Sequence, residues 1–87
     1  MRFHTSFGGF GDDPGQLKYP KGIAIVRGLL VVTEPAAKRL QVLSPHGVPF
    51  QVLPFAFHPD GVCADEEHVW VADAYSKEVH EVGLCYA

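Results

Sequence analysis

Two carboxylates stand at the ends of short apolar runs and are the first candidates for chemistry in this chain. Glu34 follows the run LLVVT and Asp73 follows VWVA, so both are expected where a strand ends. A positioned carboxylate can act as a general acid or base. At a strand end, however, a carboxylate usually accepts hydrogen bonds from the turn backbone or from Lys and Arg side chains. We predict this second, architectural role for both residues.

The other reactive residue types lack the spacing that their chemistry requires. Ser6, Ser44 and Ser76 stand outside a G-x-S-x-G setting, and the stretch GGFGDDPG has neither a P-loop lysine nor a helix after it. The five histidines and two cysteines show no zinc-ligand spacing, and Cys63 is expected to be a small buried residue. The sequence therefore predicts no catalytic residue, no metal and no cofactor.

Composition and charge narrow the class of protein. The 87 residues are 47% hydrophobic and 20% charged, which is typical of a globular chain rather than a disordered one. A net charge of -3 gives no broad attraction to nucleic acid or anionic lipid, although it leaves room for a local basic patch. The amino terminus MRFHTSFGGF lacks an apolar signal segment, and no apolar run approaches the ~20 residues of a membrane helix. We expect a cytoplasmic protein with no membrane partner.

The positions of Gly and Pro favour strands over helices. These residues recur so often before residue 62 that no stable helix fits there, and VWVA opens the remaining stretch with a β-branched and aromatic run. LLVV and VWVA are continuously apolar, as in strands covered on both faces, whereas RLQVL alternates like a strand with one solvent-exposed face. The chain is predicted to be all-β, with strands near residues 23–26, 29–33, 38–43, 48–53, 62–65, 68–72 and 77–82.

The two halves of the chain follow one pattern at an offset of 39 residues. Sliding the sequence by that offset superposes Pro20 on Pro59 and Gly22 on Gly61, and many apolar positions agree in type. Helical repeats of this length would need amphipathic stretches that the chain lacks. A period near 40 residues that contains several short strands is typical of a propeller blade.

The residues of both halves resemble the NHL repeat. In the first half, SFGGFGDDPGQLKYPKGIAI and LLVVTEPAAKRLQVL resemble its Gly-rich connection and its three successive strands, Pro-x-Gly-Ile-Ala, Val-Ala-Asp and Arg-Ile-Gln-Val. In the second half, HPDGVCA, VWVADA and KEVHEV resemble the same motifs. The chain departs from the family pattern at Glu34, where Asp is usual, and at Glu78, where the family has the Arg that is kept at Arg39.

This resemblance implies two four-stranded antiparallel blades of an NHL-type β-propeller. Residues 1–19 would supply an outer strand at 2–7 and a Gly-rich connection, residues 20–58 the first blade, and residues 59–87 a second blade without its outer strand. Propellers usually close with about four to eight blades, so we expect either self-association or further blades in a longer chain.

The resemblance also implies roles for the motif residues inside each blade. Gly22 and Gly61 would admit the backbone into a crowded inner strand, where a side chain would collide. Trp70 and Val71 would be buried between blades.

Three functions are compatible with such a scaffold. The first is a non-catalytic interaction module whose loops on one face bind a protein partner. The second is binding of single-stranded RNA, as in NHL propellers of tripartite-motif ubiquitin ligases, and the third is a fragment of a propeller lyase or hydrolase. The predicted binding face carries rings and cations at Tyr19, Lys21, Lys38, Arg39, Tyr75 and Lys77.

Overall fold

The strands begin and end where glycine, proline and polar residues interrupt the apolar runs. The structure, a computed structural model, describes residues 6–83. Its strands are β1 (Gly22–Val26), β2 (Leu29–Glu34), β3 (Arg39–Leu43), β4 (Pro49–Pro54), β5 (Pro59–Ala64), β6 (Val69–Asp73) and β7 (Val79–Val82), with one 3-10 turn at Pro35–Ala37. The predicted all-β class is confirmed, whereas the outer strand predicted at 2–7 lies largely outside the described residues. Within residues 6–83 no helix is long and apolar enough to cross a membrane.

The seven strands form two antiparallel sheets. Strands β1 to β4 pair in chain order in a four-stranded sheet, the first sheet, and β5 to β7 form the three-stranded second sheet. Both sheets use the same register, since Ile23 is opposite Val32 in the first and Val62 is opposite Val71 in the second. Residues 39 apart therefore occupy corresponding places in the two sheets.

The hydrophobic core lies between the two sheets. Alternate residues of β2 and β3 point into it, including Val31, Leu40 and Val42, and they belong to one cluster with Val69 and Val71 of β6. Burial of one such side chain stabilises the fold by roughly 1.5–3 kcal/mol. This apolar layer holds the sheets face to face.

The β3 side of the outer face of the first sheet is covered by the chain that precedes β1. All five residues of β3 are buried, so the expectation of a solvent-exposed face for RLQVL is wrong. The covering segment is closed into a loop, because the N–H of Leu17 donates to the carbonyl oxygen of Gly9 at 2.7 Å. Strand alternation alone gave no sign that a loop would cover this face.

Within residues 6–83 nothing packs over the far face of the second sheet, which is turned away from the first sheet. Val71 is fully buried, as predicted, but Trp70 next to it is only partly buried, because successive residues of a strand point to opposite faces. Cys63, opposite Trp70 in the sheet, is exposed, so its predicted burial is wrong.

Gly22 and Gly61 occupy corresponding places but have different surroundings. A Cβ atom at Gly22 would lie 2.8 Å from Thr33 Oγ1 and 2.9 Å from the carbonyl oxygen of Asp60, which confirms the predicted crowding there. At Gly61 the same atom would meet no described residue within 4 Å, so the prediction is wrong for that glycine. The reason is that Gly61 belongs to the open far face.

Candidate functional site

Glu34 is the most tightly held carboxylate of the described chain and is fully buried. Its carboxylate accepts two hydrogen bonds from Arg39, from Nε at 2.8 Å and from Nη2 at 2.9 Å. It also accepts the backbone N–H of Lys18 at 2.7 Å and the side-chain amide of Gln41 at 2.9 Å. All of these donors fix the carboxylate in place, and the predicted architectural role of Glu34 is confirmed.

Arg39 uses the rest of its guanidinium to hold the loop that covers the first sheet. Its terminal nitrogens donate to the carbonyl oxygens of Asp12 at 2.6 Å, Gln16 at 3.0 Å and Gly11 at 3.2 Å. The residue is 8% exposed. Arg39 is therefore a buried residue that holds this loop in place, and it does not lie on the surface with the other residues of the predicted binding face.

Gln41 completes this buried cluster and was not singled out in the sequence. Its amide nitrogen donates to the carbonyl oxygen of Gln16 at 2.6 Å, and its amide oxygen accepts the N–H of Gly15 at 2.9 Å. The sequence does carry a signal for it, since Gln41 lies two residues after Arg39 in one strand and so shares its face.

In the second sheet, Asp73 stands in the place of Glu34, and aromatic rings stand in the place of Gln41. Asp73 caps the turn after β6, where its carboxylate accepts the N–H of Tyr75 at 2.9 Å and the hydroxyl of Ser76 at 2.8 Å. These hydrogen bonds lower the pKa of Asp73 below its ordinary value of 3.8, and the bond from the Tyr75 N–H has the largest effect. Where the first sheet has Gln41, the second has His80, whose ring stacks on Phe57 with centroids 4.2 Å apart. The predicted hydrogen-bonding role of Asp73 is confirmed.

Five of the six predicted binding residues are exposed along one edge of the two sheets, which we call the lysine–tyrosine rim. Its members are Tyr19, Lys21, Lys38, Tyr75 and Lys77. They stand before β1, between β2 and β3, and between β6 and β7. The two sheets meet at this edge through an ion pair between Lys21 Nζ and Asp60 Oδ2 at 3.5 Å.

The two tyrosines of the rim are exposed but supported. Tyr75 is 74% exposed, and His58 packs edge-on against its ring at a centroid distance of 4.6 Å. Phe10 supports Tyr19 in the same way at 5.6 Å. Phe10 and His58 were missed in the sequence, because these ring contacts depend on how the links fold in three dimensions.

The two outermost lysines of the rim share an unusual backbone conformation. Lys38 and Lys77 have φ angles of 53° and 64°, in the left-handed region that non-glycine residues seldom adopt. The N–H of Lys38 donates to the carbonyl oxygen of Pro35 at 3.0 Å and its own carbonyl oxygen accepts the N–H of Phe55 at 2.8 Å, so this backbone is held on both sides. Within residues 6–83 neither ammonium group forms an ion pair.

The opposite edge, which we call the acidic rim, consists of Asp65, Glu66 and Glu67 in the turn between β5 and β6. Asp65 accepts the N–H groups of Glu67 and His68, each at 2.8 Å, and these bonds lower its pKa below 3.8. Arg27 Nε donates to the carbonyl oxygen of Glu66 at 2.8 Å and joins the two sheets at this edge. The two rims thus differ in the sign of their exposed charges.

No protein-family model matches the chain, and no curated protein matches it.

Proposed function

We propose that this chain is a non-catalytic binding module that recognises an acidic protein segment through the lysine–tyrosine rim. The observation that carries the proposal is the placement of Tyr19, Tyr75, Lys38 and Lys77. Two supported, exposed rings and two ammonium groups that form no ion pair within residues 6–83 lie along one edge of a rigid pair of sheets. Loops displayed by a rigid scaffold are where recognition usually resides.

The chemistry of the rim favours an acidic partner. The ammonium groups of Lys38 and Lys77 attract carboxylates at long range and steer an acidic segment to this edge rather than to the acidic rim. Tyrosine offers a large contact area at a low cost in side-chain entropy, and it is enriched in protein interfaces. The edge-on contacts of His58 and Phe10 reduce that cost further, because they restrict the rings before binding.

The hydrogen bonds of Glu34 and Asp73 support a binding role rather than a catalytic one. Glu34 is enclosed by four donors, and Asp73 is engaged by the backbone and hydroxyl of its own turn. Both carboxylates therefore stabilise the strand ends from which the rim residues project.

The scaffold that we propose is a pair of NHL-type propeller blades. Its support is the strand order of the first sheet, the shared register of the two sheets, and their face-to-face packing. In such a scaffold the lysine–tyrosine rim would form part of one face of the disc.

The proposal is tested with three labelled probes: a glutamate-rich peptide, a lysine-rich peptide of the same length, and a uridine oligonucleotide. Fluorescence anisotropy is expected to show binding of the glutamate-rich peptide in preference to the other two. The double variant Lys38→Ala/Lys77→Ala should weaken that binding about five- to tenfold. The matched control Glu66→Ala/Glu67→Ala on the acidic rim should leave it unchanged.

Two outcomes would overturn the proposal. Tighter binding of the oligonucleotide than of the glutamate-rich peptide would assign the rim to RNA. Equal losses from the two double variants would show that the rim is not the binding surface. A second pair, Tyr75→Ala on the rim and Phe50→Ala on β4, separates the contribution of an aromatic ring from that of its position, since both side chains are exposed.

A further inference from the structure

In the described part of the chain, residues 6–83, two apolar faces lie open at opposite ends of the two-sheet stack. One is the far face of the second sheet, where Gly61, Cys63, Trp70, Ala72 and Val79 line a shallow groove together with Val62. The other is the outer face of the first sheet beside β1, where Ile23 and Ile25 are exposed and a second groove is lined by Phe7, Leu17, Pro20, Leu30 and Val32. Ile25 is 67% exposed and Val79 is 69% exposed.

These two faces are the counterparts of faces that already pack on each other inside the chain. Val31 and Leu40 of the first sheet point into the core, and 39 residues later stand Trp70 and Val79 of the open far face. On the other side of the core, Val62 and Val71 of the second sheet correspond to Ile23 and Val32 of the outer face. Each open face therefore corresponds, in the other sheet, to one of the two faces that meet in the core.

We infer that the chain associates head to tail with a second copy of itself. The far face of the second sheet in one copy packs on the outer face of the first sheet in the next, in the arrangement by which the two sheets pack within one chain. Such an interface joins two different surfaces, so it leaves one open face of each kind at the ends of a dimer.

The charges beside the core fit this arrangement. Within the chain, Lys21 pairs with Asp60, and these two residues are themselves 39 positions apart. Head-to-tail packing therefore brings Asp60 of one copy to Lys21 of the next, and opposite charges meet again.

Gly61 supplies the space that the second copy requires. Inside the chain, the position of a Cβ atom at Gly22 lies against the carbonyl oxygen of Asp60 and the side chain of Val62. The corresponding residues of a second copy are Lys21 and Ile23, and they would close on Gly61 in the same way. No described residue of its own chain lies within 4 Å of that side of Gly61.

The test measures assembly of the 87-residue chain by sedimentation equilibrium. The wild type is expected to associate with rising concentration. Ile25→Glu on the outer face and Val79→Glu on the far face should each raise the dissociation constant at least about tenfold, because a charge would be buried in an apolar contact. An equimolar mixture of the two variants should form a one-to-one dimer, since each retains one intact face. Val48→Glu, at an exposed position in the link before β4, should associate like the wild type.

Several results would overturn this inference. A wild type that stays monomeric at millimolar concentration would leave the open faces to other occupants, such as further sheets of a longer chain. Self-association of either single variant at the wild-type level would show that equal faces meet. Absence of a dimer in the mixture would contradict the head-to-tail contact. Circular dichroism confirms that each variant is folded, as expected from the exposure of both positions.

A substitution at Gly61 gives an independent readout. Gly61→Val places a β-branched side chain where the monomer has open space, so the fold should be retained while assembly weakens at least about tenfold. Gly83→Val, at another glycine with open space among the described residues, serves as its control. Unchanged assembly of Gly61→Val would contradict the predicted close approach.

Discussion

Arg39 and Glu34 form a two-pronged, buried ion pair across the β2–β3 ladder, with hydrogen bonds of 2.8 and 2.9 Å. The carboxylate is fully enclosed, and the remaining guanidinium donors hold the loop that covers the first sheet. This pair therefore links the interior of the first sheet to the segment that precedes β1. A residue that was expected on a binding surface is instead a structural element of that sheet.

Removal of Arg39 should be severely destabilising. Arg39→Ala leaves the carboxylate of Glu34 buried without its cation and is expected to lower the free energy of unfolding by about 3–5 kcal/mol. The neighbouring exposed variant Lys38→Ala should change it by less than about 0.5 kcal/mol. Urea unfolding monitored by circular dichroism measures both. Equal effects of the two variants would show that the ion pair contributes nothing specific.

Part of that loss should be recovered when both charges are removed. In Glu34→Leu/Arg39→Met no buried charge remains, so this double variant is expected to unfold at higher urea concentration than Arg39→Ala. A double variant that is no more stable than Arg39→Ala would assign the main role to the bonds between Arg39 and the covering loop.

Trp70 and Leu40 should respond differently to truncation in a dilute sample. Leu40 is fully buried in the core between the sheets, so Leu40→Ala should cost about 2–5 kcal/mol of stability. Trp70 lies on the open far face, and Trp70→Ala should cost the monomer less while it weakens head-to-tail assembly. Urea unfolding at low protein concentration, followed by sedimentation of the folded variants, separates the two effects. A larger loss for Trp70→Ala in the monomer would contradict the assignment of its face.

The charge on Asp73 should stabilise the fold only above acidic pH. The folded state lowers the pKa of this carboxyl below 3.8, so the ionised form is favoured by folding. The stabilisation is complete above 3.8 and is lost as the pH falls through the lower folded value. Asp73→Asn retains an oxygen that can accept the Tyr75 N–H but removes the charge.

Unfolding of the wild type and of Asp73→Asn across acidic pH measures this dependence. The difference in stability is expected to shrink as the pH falls below 3.8, and Asp65→Asn on the acidic rim should show the same trend. A difference that stays constant or grows on acidification would mean that the sign is wrong.

Matched substitutions at Gly22 and Gly61 should have opposite consequences for the monomer. Gly22→Ala forces a methyl group to within 2.9 Å of a backbone oxygen and should destabilise the fold by about 1–3 kcal/mol. Gly61→Ala meets open space and should be neutral or stabilising by about 0.4–1 kcal/mol, because alanine restricts the unfolded chain. Thermal unfolding of dilute samples compares them, and a loss at Gly61 equal to that at Gly22 would contradict the difference.

The sequence by itself determined the local structure of this chain. Frequent Gly and Pro residues exclude long helices, and β-branched runs such as LLVV and VWVA favour strands, so the all-β class and the approximate strand positions could be predicted. The largest difference is at β5, which begins at Pro59 rather than at the predicted residue 62. The hydrogen-bonding roles of Glu34 and Asp73 were also predictable. Each depends mainly on residues close in sequence, namely Arg39 across a short link and the backbone of the following turn.

Only the tertiary structure decided which strand faces are covered. Alternation along a strand shows which residues share a face, but not what packs on that face. The loop at 9–17 lies over β3 and buries Arg39, whereas nothing within residues 6–83 lies over the far face that carries Trp70 and Cys63. Both outcomes depend on contacts between segments distant in the chain. For that reason Arg39 lies in the interior rather than on the predicted binding face, and the open far face became visible only in the folded molecule.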